Sequence, residues 1–391
     1  MKIDQNMPSR VLVISAIFPI SELSHKKNEN DIVLETQNKI GFYYNGITFR
    51  NIYPLIYSND FLGLFSKKWK ELSTLRKYNY FRSKDDVKID ILPIIQLPYK
   101  VEKRGLLFKL SLLKYKRRLD NIIQEFKPTV IHAQDADVSA YIARYIKEKY
   151  DIPYIVTLRG INFIHDHLIH QNLLGARALL SVSKTQKNDG LKYFDLDSIT
   201  IPHGIDAKFF QSHKENVSNN LRLIFVGRLL KLKNINIIIS AIKDLDNVHF
   251  DIIGDGPEEN NIRDQIGNLK LNHRIKLLGR LNHEEIIRLL PSYDIFAMVS
   301  YPETLGRVYF EAMASGLPVL ACKNTGIDGL IVDSVQGFLV DKDGQLQIEE
   351  ILEHISKNRD LLNKMKIEAI NFAENYKWDN IAELYKNIYN L

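Results

Sequence analysis

Short apolar runs alternate with helical segments along almost the whole chain of 391 residues, and this alternation limits the possible folds more than any other feature. Most runs are four to seven residues long and rich in Val, Ile and Leu, which is typical of parallel strands buried on both faces. Apolar residues at helical spacing lie between them, as at Leu119, Ile122, Ile123 and Phe126. The alternation predicts βαβ units joined by right-handed crossovers.

Strands are predicted at these runs, and none is predicted within the less regular region 42–88. In the first half of the chain they are Arg10–Ala16, Ile89–Ile95, Thr129–His132, Tyr154–Leu158, Ala178–Ser181 and Ser198–Ile201. In the second half they are Leu221–Val226, His249–Ile253, Ile275–Leu278, Ile295–Met298, Pro318–Ala321 and Gly337–Val340. Helical spacing also occurs at Ile286, Leu289, Leu290 and Tyr293.

The segment Pro202–Asn220 is the predicted domain boundary. It begins with PHGID and continues through the polar stretch QSHKENVSNN, which has no apolar periodicity and the composition of a linker. Two doubly wound α/β domains of similar size result. Ligands of such sheets bind beyond the carboxyl ends of the strands, so we expect the active site in a cleft between the domains.

Cysteine content and hydropathy narrow the class of protein. The single cysteine, Cys322, excludes an intramolecular disulfide and a cysteine-based zinc cluster, and favours the cytosol. No apolar run approaches the ~18 residues that a membrane-spanning helix needs. The apolar stretch Val11–Ile20 lacks a small-residue cleavage site, so we interpret it as the first buried strand and not as a signal peptide.

Positive charge is concentrated in one part of the chain. The net charge is +6, but Arg50–Asp120 alone contains 17 Lys/Arg and 7 Asp/Glu. This excess indicates either an anionic partner or an ordinary solvated surface. The region 61–119 also contains aromatic residues such as Phe61, Phe65 and Trp69, and within it Lys103–Leu119 mixes basic residues with leucines. That segment is predicted either to lie at a membrane surface or to form a half-buried helix.

Candidate binding residues follow two of the predicted strands in the second half. After Leu221–Val226 come Gly227, Arg228 and Lys233; the two cations are suited to a diphosphate, although basic residues after strands are often only solvated. After His249–Ile253 come Gly254 and Gly256, which fit either a tight turn or a loop packed near a nucleotide.

The segment Glu303–Gly316, ETLGRVYFEAMASG, follows another predicted strand. A helix is expected to begin near Gly306, so the amides of Leu305, Gly306 and Arg307 would point at an anion. Glu303 and Glu311 are eight residues apart, and each carboxylate can accept hydrogen bonds from vicinal hydroxyls of a sugar or ribose. Because all three segments lie at carboxyl ends of strands, they are predicted to converge on one ligand.

Several sequence strings together resemble glycosyltransferase family four, whose members are retaining enzymes of the GT-B fold. In the second half these strings are VGRLLKLK, IIGDGP, LLGRL, ETLGRVYFEAMASGLPVLA and NTGIDGLIVDSVQGFLV. IPHGID resembles the interdomain segment of the family, and ALLSVSKTQ resembles the strand and turn before it. The last residues, YKWDNIAELYKNIYNL, resemble the terminal helix that crosses back onto the N-terminal domain.

The resemblance implies a GT-B architecture of two doubly wound, Rossmann-like domains facing a central cleft. Residues 1–203, with the terminal helix 376–391, would form the acceptor-binding domain. Residues 204–375 would form the domain that binds the nucleotide-sugar donor.

The resemblance also implies roles for individual residues. Arg228 and Lys233 would hold the donor diphosphate, Glu311 the ribose, and Glu303 the transferred sugar. The loop and turn residues near the phosphates, sugar and base would be Gly227, Gly254, Gly256, Arg280, Leu281, Thr304, Leu305, Gly306 and Arg307. Neither a cofactor nor a divalent metal is expected, because cations and amides bind the diphosphate.

The implied activity is transfer of a sugar from a nucleoside-diphosphate-sugar, with UDP preferred over GDP. The acceptor would be a saccharide or a lipid-linked sugar in cell-surface polysaccharide or glycoconjugate synthesis, and no nucleic acid partner is expected. We expect a cytoplasmic protein with peripheral membrane contact through 61–119. The pairs Asp135–Asp137 and Asp195–Asp197 are interpreted as chance matches to metal motifs of another fold.

Two departures from the family pattern concern the first domain. The loop after the first strand, FPISELSHKKNEN, has no glycine, and VTLRG carries Arg159 where the family has a histidine. Arg159 cannot act as a base at neutral pH, but its charge can assist the leaving group or acceptor. His132, His165 and His203 are substitutes by location only. A non-catalytic nucleotide-sugar-binding subunit therefore remains an alternative, and a sugar-nucleotide epimerase of the same fold is a second one.

Overall fold

A computed structural model describes residues 9–16, 32–44, 46–57, 77–83, 86–95, 104–159, 167–211 and 220–390. Contacts divide the chain into two compact units. The first unit comprises Met1–Val182, Gln186–Ile201 and Ala382–Leu391, and the second comprises Ser183–Thr185 and Pro202–Ile381. The first unit ends at Ile201, directly before the predicted linker and two residues before the predicted domain end at residue 203. The chain returns to the first unit at Ala382 instead of residue 376.

The first unit is built on a predominantly parallel sheet with the strand order β3-β4-β2-β1-β5-β6-β7-β8 among the described residues. Only the edge strand β3 is antiparallel to its neighbour. The strands are β1 Ser9–Ile14, β2 Ile47–Tyr57, β3 Tyr80–Arg82, β4 Lys88–Ile95, β5 Val130–Ala133, β6 Tyr154–Leu158, β7 Ala178–Ser181 and β8 Ile199–Thr200. The helices before residue 201 are α1 Ile32–Tyr43, α2 Arg104–Lys114, α3 Lys116–Phe126, α4 Val138–Tyr150, α5 His167–Leu174 and α6 Lys184–Phe194.

The second unit is built on an all-parallel sheet with the order β11-β10-β9-β12-β13-β14. Its strands are β9 Leu221–Val226, β10 Val248–Ile253, β11 Ile275–Gly279, β12 Ile295–Ala297, β13 Val319–Cys322 and β14 Gly337–Val340. The helices after residue 220 are α7 Ile235–Ala241, α8 Glu259–Asn268, α9 His283–Leu289, α10 Arg307–Ala314, α11 Gln345–Lys357, α12 Arg359–Glu374 and α13 Trp378–Tyr389. The last residues of α13 belong to the first unit, where Ser9 Oγ donates to Asn390 Oδ1 at 2.6 Å.

The α/β prediction is confirmed, and each predicted strand corresponds to an observed one with ends that agree within two residues. Apolar strand residues such as Leu12, Ile131 and Val156 are completely buried, as expected for a parallel sheet covered by helices. The predicted helix around Ile286 is shorter than its apolar spacing indicates. Helix α9 ends at Leu289, and Pro291 lies in the following 3-10 turn.

The region 42–88, to which no strand was assigned, contains β3 at the edge of the sheet and β2 inside it, between β1 and β4. The sequence of β2, ITFRNIYPLIY, carries charge and amide groups in the middle and a proline that usually marks an edge strand. The structure provides partners for Arg50 and for the side-chain oxygen of Asn51. Asn51 accepts a hydrogen bond from Gln37 Nε2 at 2.8 Å, and Arg50 pairs with Asp90 at 2.7 Å. Such long-range partners are invisible in the local pattern.

Two further features bear on the membrane prediction. The segment Lys103–Leu119 is not one helix, since α2 ends at Lys114 and α3 begins at Lys116. No helix in the described part of the chain is long and apolar enough to cross a bilayer. Residues 61–76 and 96–103 of the basic region, and most of the polar linker after Gln211, lie outside the described residues.

Gly337 provides a test of the packing of the second sheet. A Cβ atom at this position would lie 2.3 Å from the carbonyl oxygen of Val319 on the neighbouring strand, so Gly337→Ala must displace the backbone. We expect it to lower the free energy of unfolding by about 3 kcal/mol. Gly267→Ala is the matched control, because a Cβ atom there meets nothing within 4 Å on helix α8. The control is expected to gain about 0.5 kcal/mol. Equal urea midpoints for the two variants would contradict this packing.

Candidate active site

Loops after β9 and β10 approach each other closely at the carboxyl edge of the second sheet. Gly254 has φ +137°, and a Cβ atom on it would lie 1.8 Å from the carbonyl oxygen of Gly227. At Gly256 the same atom would lie 2.4 Å from the carbonyl oxygen of Leu229. Both glycines are therefore required by backbone packing, which agrees with the tight-turn interpretation. This packing brings two of the predicted segments side by side.

The loop after β12 is joined to the loop after β9 by a charged pair. Lys233 Nζ lies 2.6 Å from Glu303 Oε2, and the side chains are only 16% and 15% exposed. Backbone and amide hydrogen bonds fix the same two loops, because Tyr301 N donates to Leu232 O at 2.8 Å and Asn234 Nδ2 donates to Val299 O at 3.1 Å. The pair is thus held by the loops on both sides.

Thr325 and Gly326, to which the sequence pattern assigned no role, position Glu303. Thr325 Oγ1 accepts from Glu303 N at 2.6 Å and donates to Glu303 O at 2.7 Å, while Gly326 N donates to Glu303 O at 2.8 Å. Thr304 N donates to Glu303 Oε1 at 3.2 Å. A signal for Thr325 and Gly326 was present in the sequence. They lie in the string NTGIDG after the strand Val319–Cys322, which is part of the resemblance to the glycosyltransferase family.

Helix α10 begins next to this carboxylate. Its N-cap is Gly306, with φ +74°, where a Cβ atom would lie 2.5 Å from the ring of Tyr309. On the first turns of the helix, Arg307 Nη2 lies 3.6 Å from Glu311 Oε1. The hydroxyl of Tyr309 donates to Met298 O, which anchors the helix to the end of β12. The helix therefore directs its N-terminus and Glu311 to the same sheet edge as Glu303.

The arginines predicted for the site in the second unit also lie at this edge. Arg228 and Arg280 are both exposed, after β9 and β11 respectively. Gly279, with φ +69°, accepts a hydrogen bond from Gly254 N at 2.8 Å, so the turn that includes Arg280 and Leu281 lies beside the glycine loop. Loops after five successive parallel strands thus form one edge that carries cations, carboxylates and a helix start. Such an edge can bind an anion and hydroxyl groups together.

Arg159 lies in the first unit, where a polar network holds it. Its Nε donates to Gln134 Oε1 at 2.9 Å, and the amide nitrogen of Gln134 lies 3.2 Å from His132 Nε2. The ring of His132 also contacts Thr157 Oγ1 at 2.7 Å and the hydroxyl of Tyr389 at 2.9 Å. The network therefore connects Arg159 to the carboxyl ends of β5 and β6 and to the C-terminal helix.

His132 is neutral in this network. Burial, together with the charge of Arg159, lowers its pKa to about 3. His203 packs in the second unit with its ring edge-on to Trp378 at 4.7 Å. His165, the loop 18–30 and Gly160 lie outside the described residues. Among the described histidines, His132 adjoins Arg159 but serves as a neutral hydrogen-bonding partner and not as a cation.

The two aspartate pairs have local structural roles. Asp135 accepts hydrogen bonds from the backbone nitrogens of Asp137 and Ser139 at the start of α4. Asp197 pairs with Lys187 at 2.9 Å. No group of three or more potential metal-binding side chains was found among the residues that the structure describes.

The structure is that of a two-domain α/β protein whose second unit carries a charged loop edge suited to an anion and hydroxyl groups. Similarity to known proteins identifies its family. The sequence profile of glycosyl transferases group 1 matches residues 206–372, and that of glycosyltransferase family 4 matches residues 79–209. The chain belongs to the group 1, family 4 glycosyltransferases, and the protein is therefore a glycosyltransferase enzyme.

Individual relatives agree with this assignment. The chain is 26% identical to an uncharacterized glycosyltransferase of Methanocaldococcus jannaschii, over 76% of this chain and 84% of the relative. It is 29% identical to alpha-monoglucosyldiacylglycerol synthase of Streptococcus pneumoniae, over 56% of this chain but only 52% of that protein. The structure of HepE of Anabaena with UDP and glucose aligns with a TM-score of 0.64 at 18% identity, covering 97% of this chain and 99% of HepE. The structural likeness establishes the GT-B fold.

The buried, neutral His132 gives a specific pH dependence of stability. In the unfolded chain the histidine takes up a proton as the pH falls through about 6.5, whereas the folded protein resists protonation until about pH 3. Its contribution is complete above the unfolded pKa and is lost below it. The wild-type protein should therefore lose about 2 kcal/mol of stability from this group between about pH 7 and pH 5.

The variant His132→Gln removes the titrating group, so its unfolding free energy should fall less steeply over this pH range. Urea titrations at a series of pH values measure the difference in slope. His354→Gln, on an exposed helical position, is the control and should keep the wild-type slope. If His132→Gln and wild type have the same slope, His132 is not held neutral by the fold.

Proposed function

We propose that this glycosyltransferase transfers a sugar from a nucleoside-diphosphate-sugar, with UDP preferred over GDP, and retains the configuration at the anomeric carbon. The acceptor is a saccharide or lipid-linked sugar in cell-surface polysaccharide or glycoconjugate synthesis. The observation that carries this proposal is the convergence of Lys233, Glu303 and the start of helix α10 at one sheet edge.

The donor diphosphate is assigned to the cations and amides of this edge. Bond cleavage places negative charge on the leaving diphosphate, and Arg228, Lys233 and the amides of Leu305–Arg307 supply positive charge to stabilise it. Lys233 is pre-oriented because Glu303 holds its ammonium group at 2.6 Å. Fixed cations and backbone donors can thus provide the electrostatic stabilisation in a metal-independent reaction, with the donor as substrate and no separate cofactor.

The two glutamates are assigned to hydroxyl groups of the donor. Glu303 takes the hydroxyls of the transferred sugar, because its backbone is fixed by Thr325 and Gly326 beside the charged pair. Glu311, on the second turn of α10, takes the ribose hydroxyls. A carboxylate that accepts from two vicinal hydroxyls is selective for such diols.

Recognition of the base is assigned to the turn Gly279–Leu281, which is hydrogen-bonded to the glycine loop. UDP is the favoured nucleotide because HepE, of the same fold, was solved with UDP bound. The relative that makes a monoglucosyldiacylglycerol supports a lipid-linked acceptor as one of the two acceptor classes.

Retention is proposed through attack of the acceptor hydroxyl on the face from which the diphosphate leaves. The acceptor oxygen bonds to the anomeric carbon as the bond from that carbon to the diphosphate breaks, and the hydroxyl proton passes to the departing diphosphate oxygen. Arg159 contributes charge to the leaving group or acceptor and not base catalysis, since a guanidinium stays protonated at neutral pH. Gln134 orients it, with His132 as the neutral partner behind the amide. The roles of the first unit in acceptor binding and of the second unit in donor binding are part of the same proposal.

Substitutions of the donor edge test the assignment. Lys233→Ala removes a positive charge next to the leaving diphosphate and should reduce turnover by about 10²–10³-fold. Glu311→Ala should weaken donor binding by about tenfold or more, because hydrogen bonds to a charged group are lost. Donor binding is measured by thermal stabilisation with UDP-, GDP- and ADP-sugars, and turnover by release of the nucleoside diphosphate in the presence of acceptor.

Lys243→Ala and Glu353→Ala are matched controls, since both residues form exposed ion pairs away from the carboxyl edge of the sheet. Wild-type turnover in Lys233→Ala, together with wild-type donor binding in Glu311→Ala, would reject the donor site. Donor binding without transfer to any acceptor would favour the non-catalytic alternative. Interconversion of the free donor sugar without acceptor would favour an epimerase.

The stereochemical course is a separate prediction. With an α-linked UDP-sugar, the isolated product should carry an α-glycosidic bond, because donor and product share the same configuration in a retaining transfer. The anomeric coupling constant in a proton NMR spectrum distinguishes the two anomers. A β-linked product from the same donor would show that the reaction inverts and would exclude front-face attack.

A further inference from the structure

We propose that helix α2 and the tyrosines beside it form a docking surface for a lipid bilayer with anionic headgroups. The apolar part of this docking surface consists of Leu106, Leu110 and Leu113, and its nearest cations are Lys109 and Lys114. The surface lies in the first unit, and no side chain of the proposed donor edge belongs to it.

The three leucines form an exposed row. They are 54%, 51% and 53% exposed, and their i, i+4, i+7 spacing places them on one side of α2. The opposite side of the helix packs against the core, where Phe108 and Leu112 are completely buried. Rotation of the helix to bury the three leucines would expose Phe108 and Leu112. The leucines therefore remain as a contiguous apolar strip at the surface.

Basic residues are concentrated beside the strip. Lys109 and Lys114 are exposed on α2, and Lys116 and Arg117 are exposed at the start of α3. The whole segment 103–119, KRGLLFKLSLLKYKRRL, contains no aspartate or glutamate. Basic residues near a membrane are attracted to anionic lipids, and each contributes about 1 kcal/mol of attraction near the surface.

Tyrosines extend the same surface from the end of α2. The Lys114 ammonium lies 5.5 Å from the centre of the Tyr115 ring, and the Arg118 guanidinium carbon lies 5.7 Å from the same centre. Arg118 Nη1 then donates to Tyr78 O at 3.4 Å. Tyr78 is 45% exposed, so the contacts connect the leucine strip to a tyrosine at the sheet edge.

A second tyrosine repeats this arrangement on the edge strand β3. Tyr80 is 48% exposed, and Lys88 Nζ lies 5.0 Å from its ring centre, as Lys77 Nζ lies 5.2 Å from that of Tyr78. Tyrosines with an apolar ring and a polar hydroxyl favour the headgroup level of a membrane, and lysines beside them can extend their ammonium groups to phosphates.

The chemistry favours a lipid surface over a protein partner. Protein interfaces are depleted in lysine, whereas helices that lie on anionic membranes combine leucine with lysine and arginine. Helix α2 has 11 residues, so it can lie at the interface but cannot cross the bilayer. Docking would present the first unit to a lipid-linked acceptor. That purpose rests on the proposed function, but the docking itself does not.

Sedimentation with vesicles tests the docking surface. The full-length protein is mixed with vesicles of phosphatidylcholine alone, or of about three parts phosphatidylcholine to one part phosphatidylglycerol. Binding is expected only to the anionic vesicles and should weaken as salt is raised. Leu106→Gln, Leu110→Gln and Leu113→Gln together should weaken binding by at least about tenfold, because the apolar contact is lost. Lys109→Ala and Lys114→Ala should each cost about fivefold.

The matched control is a triple variant at other exposed leucines, Leu174→Gln, Leu346→Gln and Leu384→Gln. It should bind anionic vesicles like wild type. Equal binding of wild type to both kinds of vesicle, or equal binding of the two triple variants, would overturn the proposal.

A labelling experiment avoids any loss of folding in the triple variant. Cys322 is the single cysteine of the chain and is buried, so Leu110→Cys can be labelled selectively with an environment-sensitive fluorophore. Its emission should shift to the blue on anionic vesicles, while the same label at Leu346→Cys should not respond. An unchanged emission at position 110 would overturn the proposal. Glycosyl transfer to a soluble saccharide, assayed without vesicles, tests the proposed function independently.

Discussion

The close approach between the loops after β9 and β10 is the constraint on which the candidate site depends. A carbonyl oxygen lies where a side chain at Gly254 would begin, so the two loops can only run together if this residue has no Cβ. The hydrogen bond from Gly254 N to Gly279 O extends the same arrangement to the next loop. Backbone packing therefore brings the loop residues to one edge before any side-chain interaction contributes.

An ion pair adds to the backbone contacts that hold these loops together. Lys233 and Glu303 come from loops after different strands, and each is mostly shielded from solvent. A mostly buried charge costs free energy without a partner of opposite charge, so each of the two residues stabilises the other in its position. Thr325 and Gly326 fix the glutamate from a third loop. The same groups that stabilise the loops are those to which donor recognition is assigned, so stability and function are expected to be coupled at this edge.

In the first unit, the sheet contains buried and half-buried polar side chains whose hydrogen-bond partners are distant in sequence. Asn51 and Arg50 in β2 find them in Gln37 and Asp90, and His132 finds them in Thr157 and Tyr389. The network around His132 ends at Arg159, which occupies the place of the family histidine. Helix α2 of this unit carries the leucine strip, where apolar residues remain exposed beside lysine and arginine side chains.

The sequence by itself determined the α/β class, most strands and the order of the candidate donor loops. These features depend on local hydrophobic periodicity and on glycines at strand ends, which can be read without tertiary contacts. The Glu303–Gly316 segment and the strings around it also identified the family. The sequence did not reveal β2, because its polar residues and Pro54 are acceptable only with partners distant in the chain. Only the tertiary structure decided that Lys233 pairs with Glu303, that Thr325 holds the glutamate, and that His132 is buried and neutral. Each of these depends on distances between loops or strands that are far apart in sequence, and local patterns carry no information about such distances.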